Sequence, residues 1–172
     1  AALDIADAGY QVTIVEREAT IGGKMPKLDK TFPTMDCSAC ICTPKMSETG
    51  NHPNITVKTL SEVEKVDGYV GNFQVTIREH AKYVDYDKCT GCGLCSTKCP
   101  NKRIPNEWNE LMDTRPAIYK PFEQAVPSKP VIDPEHCTML TRGKCGLCAK
   151  VCPTGAINYE DVDKVTTETY GA

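Results

Sequence analysis

Eleven cysteines are the residues of this chain best equipped for chemistry, and eight of them fall into two spaced sets. Cys89-x2-Cys92-x2-Cys95-x3-Cys99-Pro100 is echoed by Cys137-x7-Cys145-x2-Cys148-x3-Cys152-Pro153. Three thiolates on one tight loop can ligate three irons of a cubane, and Gly91, Gly93 and Gly146 let backbone N–H groups turn toward the sulfurs. The fourth cysteine of each set, just before a proline, sits too far round to close its own cluster. In a two-cluster arrangement it ligates the other one. The spacing therefore assigns one [4Fe–4S] cluster to Cys89, Cys92, Cys95 and Cys152, and a second to Cys137, Cys145, Cys148 and Cys99. A pair of zinc sites is the alternative, but two four-cysteine sets ending in Cys-Pro make poor zinc ribbons. Seven residues rather than two separate Cys137 from Cys145, so Cys137 is the ligand that spacing supports least.

A second signal lies near the start of the chain. Val12-Thr13-Ile14-Val15-Glu16-Arg17-Glu18 ends a short β-branched run in a carboxylate. The second strand of a dinucleotide-binding unit ends this way, its carboxylate accepting hydrogen bonds from the adenosine ribose hydroxyls. Gly22-Gly23-Lys24 follows. It is similar to the Gly-Gly-Arg/Lys loop of flavoproteins with two dinucleotide-binding domains, where backbone and cation face the flavin's phosphates. Together these residues suit FAD better than a nicotinamide nucleotide. Taken alone, Glu16 reads equally well as an ordinary strand-end carboxylate.

Cys37, Cys40 and Cys42 form the remaining concentration of sulfur, and three cysteines cannot complete a four-thiolate site. They read first as part of a third [4Fe–4S] cluster whose fourth ligand comes from outside this chain. That reading would link the flavin to the other clusters. Cys37-x2-Cys40 also suits a dithiol/disulfide pair, and inert thiols are the third reading.

The elements that must position these residues follow from local pattern. Residues 1–8 read as the later turns of a helix, with Gly9 at the left-handed position after its end, and 11–15 as a buried parallel strand. A helix without a start signal and no initiating Met suggest a piece of a longer polypeptide, cut inside a βαβ unit. Residues 21–53, with Pro26, Pro33, Pro44 and Pro53, read as an irregular loop. Strands are expected at 55–59, 63–69 and 73–77, the last two joined by a Gly71-Asn72 turn. The span 100–136 holds seven prolines and no cysteine, which limits it to short elements such as a helix over 107–112 capped by Asn106. The domain reading is a partial FAD-binding domain at 1–80 with a Cys-rich loop at 35–46, an inserted ferredoxin-like domain at 81–159, and a return at 160–172. The fold class is α/β: a partial Rossmann-like, thioredoxin-reductase-like domain carrying an inserted α+β two-cluster ferredoxin-like domain.

Composition narrows the rest. A net charge of −3 with interspersed signs offers no electrostatic footprint for nucleic acid. No run of apolar residues is long enough to span a membrane. An odd number of cysteines without a signal pattern disfavours a secreted disulfide scaffold. Eight thiolates around two 2+ cores would take the net charge to roughly −7, so backbone donors must balance the sites. Lys88, Lys98, Lys144 and Lys150 stand beside cluster ligands, either tuning them or simply solvated. His52, His80 and His136 read as surface or supporting residues.

Residues 83–158 resemble the bacterial two-cluster ferredoxins, down to the ending Cys152-Pro153-Thr154-Gly155-Ala156-Ile157. The whole order also resembles the A subunit of heterodisulfide reductase, the iron–sulfur flavoprotein of methanogens and relatives. It runs from Glu16-Arg17 through Gly22-Gly23-Lys24 and Cys37-Ser38-Ala39-Cys40 to an inserted two-cluster module. The stretches Ile104-Pro105-Asn106-Glu107, Ala117-Ile118-Tyr119-Lys120-Pro121-Phe122 and Gln124-Ala125-Val126-Pro127 are similar to that flavoprotein's linker between the cluster motifs. The resemblance implies an internal fragment of a cytoplasmic oxidoreductase component, with 166–172 returning to the flavin domain. It implies flavin-based electron bifurcation in methanogenesis, in which electrons from hydrogen or formate are split by FAD between ferredoxin and the CoM-S-S-CoB heterodisulfide. Glu16, Arg17, Gly22, Gly23 and Lys24 would hold part of the FAD. The disulfide-reducing site would lie on a partner, so no catalytic residue is expected here. Implied partners are the B and C subunits of heterodisulfide reductase, hydrogenase or formate dehydrogenase subunits, ferredoxin, and a second copy of the same flavoprotein. A related flavoprotein of a quinone-interacting complex in sulfur metabolism shares these motifs. A ferredoxin-type carrier that does not bifurcate is the other alternative.

Overall fold

The computed structural model describes residues 1–171. Helix α1 (Ala2–Asp7) stops where Gly9 takes a positive φ of 93° and donates its N–H to Ala6 O at 3.0 Å. The chain can then reverse into strand β1 (Val12–Glu16). β1 pairs in parallel with β2 (Ile55–Thr59), Val12 opposite Ile55 and Glu16 opposite Thr59. Parallel neighbours need a long crossover, and here it contains helix α2 (Ser38–Asn51).

That helix corrects the expectation of an irregular loop over 21–53. Prolines and glycines dominate the composition there, yet Cys37 caps the helix by accepting the Cys40 N–H at 3.2 Å. Ser38, Met46 and Thr49 are buried along it, and tertiary packing carries the helix past Pro44 in its interior. Gly22 shows how close that packing is. A Cβ built there would lie 2.6 Å from Met46 Sδ and 3.0 Å from Pro26 Cγ.

An antiparallel sheet completes this unit, ordered β3 (Ser61–Tyr69), β4 (Asn72–Glu79) and the C-terminal strand (Lys164–Tyr170). Tyr69 lies opposite Asn72, so the hairpin turn is Val70-Gly71, one residue before the expected Gly71-Asn72. Gly71 supplies the positive φ, 91°, and Asn72 is free to join the ladder. Ile77, fully buried, anchors β4 between its two neighbours. Lys58 of β2 meets Glu79 at 3.1 Å and Glu168 at 2.5 Å, tying the parallel pair to the sheet. These elements, Ala1–Ala81 and Asp163–Ala172, form one of two units, with Ala172 itself outside the described residues. The unit holds one βαβ motif and an antiparallel sheet rather than a full doubly wound domain.

Lys82–Val162 form the other unit. Its helices are α3 (Leu94–Lys98), α4 (Thr138–Arg142) and α5 (Leu147–Val151). Val84 bridges Ile157, and Ile118–Tyr119 pair with Val131–Ile132. Asp85 N donates to Ala156 O at 2.7 Å and Asp133 N to Ala117 O at 2.8 Å. The unit is thus an internal duplication. Residues 102–116 are an insertion into its first half, closed where Ala117 N donates to Asn101 O at 3.0 Å. The expected helix over 107–112 does not form. Asn106 does accept the Trp108 N–H at 3.2 Å, but positive φ values at Glu110 and Leu111 keep the segment as successive turns. The insertion is pinned instead by Trp108 stacked on Phe122, ring centres 4.2 Å apart. Buried Arg115 adds hydrogen bonds to Glu107 at 2.7 Å and to Asp133 at 3.0 Å. Among the described residues no helix is long and apolar enough to cross a membrane.

Candidate metal centres

The duplication places each cysteine set by the same local devices. Asp85 Oδ1 accepts from Asp87 N and Lys88 N at 3.0 and 3.3 Å, and Cys89 N donates to Asp85 O at 3.0 Å. Asp133 Oδ1 accepts from Glu135 N and His136 N at 3.0 and 3.2 Å, and Cys137 N donates to Asp133 O at 3.0 Å. Each aspartate winds a turn that delivers the first cysteine of its set. Helix α3 starts after Gly93 and carries Cys95. Helix α5 starts after Gly146 and carries Cys148, and both of these glycines have positive φ.

Proline decides what the fourth cysteine does. Cys99 and Cys152 follow the last helical residue with ψ of 127° and 112°, the extended backbone that a following proline demands. The helix ends there, and the sulfur leaves the side on which its own set converges. Cys152 lines a cavity with Cys89, Cys92 and Cys95. Cys99 lines another with Cys137, Cys145 and Cys148. Cys137 reaches the second cavity because its long spacing is folded into α4, which Gly143 ends at φ 65°. That helix is what the spacing left unexplained.

Among the described residues no three Cys, His, Asp or Glu side chains converge closely enough to hold a single metal ion. A mononuclear zinc site needs such convergence, whereas a cubane needs four sulfurs around a volume. The two sulfur-lined cavities, walled by Val84, Ala156 and Ile157 in one and by Ala117, Ile118 and Ile132 in the other, fit the cubane. Donors reach the sulfurs from the backbone and from the side chains of Ser96, Thr154 and Tyr159. Gly91 N donates to Cys89 Sγ at 3.4 Å and Ala156 N to Cys152 Sγ at 3.3 Å. Gly91 is also indispensable for space, since a Cβ there would lie 2.6 Å from Ser128 O. Burial would raise the Cys152 thiol, but the Thr154 hydroxyl and the N–H groups of Ala156, Thr154 and Gly155 outweigh it and hold it below the usual range. Burial pushes Cys95 and Cys148 up. Tyr159 places its hydroxyl 2.8 Å from Cys148 Sγ. Burial and this contact hold its phenol protonated.

The lysines beside the motifs, Lys88, Lys98, Lys144 and Lys150, are exposed, and Lys88 is paired with Asp85 at 2.9 Å. Each histidine pairs with an aspartate: His52 with Asp7, His80 with Asp163 and His136 with Asp133.

In the other unit Cys37 and Cys40 are joined as a disulfide, their Cα atoms 5.2 Å apart, and Cys42 is a separate half-buried thiol raised by burial. Of the three cysteines read as ligands of a third [4Fe–4S] cluster, Cys37 and Cys40 are thus paired with each other and Cys42 stands apart as a thiol. Glu16, half-buried at the carboxyl end of β1, accepts the Glu18 N–H on Oε1 at 2.9 Å. Arg17, Gly23 and Lys24 are exposed, whereas Gly22 is held against α2. This end of a parallel strand is where open α/β sheets bind ligands. One Glu16 oxygen already has a structural partner.

The match to known proteins agrees with the sulfur geometry. Residues 88–156 match the family described as "4Fe-4S dicluster domain". The chain is 55% identical over 171 residues to a protein of Archaeoglobus profundus named as similar to the A subunit of heterodisulfide reductase, covering 91% of this chain and 24% of that protein. It is 51% identical over 160 residues to the iron-sulfur A subunit of the CoB–CoM heterodisulfide reductase of Methanocaldococcus jannaschii, covering 93% and 23%. Over nearly its whole length the chain is similar to one stretch of heterodisulfide reductase A subunits. A third relative, the A subunit of the H(2):CoB-CoM heterodisulfide, ferredoxin reductase of Methanothermobacter marburgensis, is 46% identical over 160 residues, covering 93% and 23%. The chain spans about a quarter of the length of these curated relatives, and the dicluster match falls within its Lys82–Val162 unit.

Proposed function

We propose that this chain relays electrons inside a heterodisulfide reductase-type iron–sulfur flavoprotein. The observation that carries this reading is the gathering of eight cysteines around two cavities, each with its fourth sulfur contributed by the other motif. When bound there, [4Fe–4S] clusters would each supply one-electron storage and transfer. Cys89, Cys92, Cys95 and Cys152 hold one cluster, and Cys137, Cys145, Cys148 and Cys99 the other. The N–H groups of Gly91 and Ala156 and the Tyr159 hydroxyl offset the negative charge on the sulfurs. Apolar walls from Val84, Ile118 and Ile132 limit water at them.

Glu16, Arg17, Gly22, Gly23 and Lys24 contribute part of an FAD site. Their common position past the end of β1 supports this, as does the second oxygen of Glu16, which the Glu18 N–H leaves available. The names of the relatives point to hydrogen, ferredoxin and the CoB–CoM heterodisulfide as the donor and acceptors of the whole protein. Bifurcation at the flavin, a cytoplasmic location, and assembly with the B and C subunits and a hydrogenase or formate dehydrogenase complete the proposal. A specific observation favours a second role for Cys37 and Cys40: their bond makes them a two-electron dithiol/disulfide couple in this form.

The test is EPR with iron and flavin quantification on the full-length protein. Replacing Cys145 and Cys148 together by Ser removes about four irons, one cubane. Replacing Glu16 by Gln weakens charge-assisted bonds to ribose by roughly 1.5–3 kcal/mol. It lowers flavin retention at limiting FAD and leaves iron unchanged. Loss of zinc instead of iron would overturn the relay, and unchanged flavin retention would remove Glu16 from the site.

A further inference from the structure

The two candidate cluster sites share a plan but not their donors. In the site of Cys89, Cys92, Cys95 and Cys152, the sulfurs meet backbone N–H groups at 3.3–3.4 Å and the Thr154 hydroxyl at 3.6 Å. Among the described residues no tyrosine lines that cavity. In the other, Tyr159 reaches from beyond the second motif to bring its hydroxyl to 2.8 Å from Cys148 Sγ. The ring itself lines the cavity alongside Cys99, Cys137 and Cys145. A cysteine bound to iron has no S–H, so in the assembled protein the phenol is the donor and the thiolate the acceptor.

We infer that Tyr159 sets the potential of the cluster held by Cys99, Cys137, Cys145 and Cys148, and does so for that cluster alone. Reduction adds one negative charge to a cluster whose ligands are already anionic and largely buried. A hydroxyl dipole aimed at a ligand sulfur favours the reduced state more than the oxidised one, and it does so strongly where the local dielectric is low. Cys148 is 8% exposed, which places this contact in such surroundings. At the other site the donation is shared among the backbone N–H groups of Gly91 and Ala156 and the Ser96 and Thr154 side chains, so no single side chain there has the same leverage. Tyr159 acts through Cys148 and is a positioning residue for charge, not a ligand.

The inference rests on the electron-relay reading and is separable from it by experiment. Tyr159→Phe keeps the ring and its packing and removes only the hydroxyl. In an EPR-monitored redox titration of the full-length protein, one cluster shifts to lower potential and its neighbour does not. At fixed potential its reduced-to-oxidised ratio falls by up to about tenfold, equivalent to about 59 mV for one electron. Iron content stays at the wild-type value, and Cys99→Ser identifies which signal belongs to the affected cluster. Pulsed EPR of wild-type protein exchanged into D2O shows deuterons coupled to this cluster, and the coupling weakens in the Phe variant, which keeps the Ala149 N–H at Cys148. Unshifted potentials at full iron loading, or equal shifts in both clusters, would overturn the inference. Absence of the deuteron coupling in wild type would overturn it whether or not the variant assembles. Wild-type protein without cubane signals from these cysteines would instead sink the relay reading.

Discussion

At the residue scale, the cysteine before each proline has a role opposite to its place in the sequence. Cys99 is four residues from Cys95, yet its sulfur faces the cavity of Cys137, Cys145 and Cys148. Replacing Cys99 by Ser is expected to damage the cluster of the distant motif and spare the one beside it, as read by EPR of the full-length protein. Loss mapped to the cluster of Cys89, Cys92 and Cys95 would refute the crossing. The reason lies in the backbone: Pro100 and Pro153 force an extended residue before them, and no helical continuation is available. Spacing alone points to this crossing, because a Cys-Pro pair is a local constraint.

At the element scale, α2 and the Lys58 network hold the first unit. Gly22→Ala must accommodate a Cβ against Met46 and Pro26 at φ 108°. A cost of about 1–3 kcal/mol is expected, measured by urea denaturation. Gly23→Ala, with nothing within 4 Å of the new Cβ, costs only its left-handed backbone. A drop in flavin retention there would then report on the cofactor rather than on packing. Glu168 is held below the usual carboxylate range first by the hydrogen bond from Lys58 and then by that from Tyr170. Its stabilisation is present above that range and is lost as pH falls through the lowered value. Lys58 runs the other way. Burial would lower it, but hydrogen bonds to Glu168 and Glu79 outweigh this and raise it. Its stabilisation is present below the ordinary lysine pKa of about 10.4 and is lost as pH rises through the raised one. Lys58→Met leaves two carboxylates facing each other and is expected to cost about 1–3 kcal/mol near neutral pH. The fall in melting temperature above about pH 10 should shrink in that variant; an unaltered alkaline limb would exclude Lys58 as its source.

At the scale of the whole molecule, the choice in function lies between iron and a dithiol at Cys37, Cys40 and Cys42. Serine at all three positions in the full-length protein separates the two. A third cluster predicts a loss of about four irons. The Cys37–Cys40 disulfide predicts unchanged iron and the disappearance of one two-electron thiol titration. The second outcome is expected for protein in the disulfide form. Unchanged iron with an unchanged titration would leave the three thiols a packing role.

The chemistry proposed for the second unit was legible in residue types and spacing alone. Cluster ligation depends on cysteine type and short-range spacing, and glycine and proline act on the backbone next to them. α1, β1, β2 and β4 were legible for the same reason, as patterns of a few residues. Tertiary structure decided what local pattern could not reach. Helix α2 reads as loop because of its composition and exists because Met46 and Thr49 are buried. Cys137 joins its set only through α4, and the insertion at 102–116 closes on hydrogen bonds between residues far apart in the chain. Tyr159 carries no motif signal, and its relation to Cys148 arises only when the segment after the second motif returns over the cavity. Spacing names the atoms able to bind a cluster, whereas packing decides which dipoles surround them, because dipoles act through distances that only the folded chain defines.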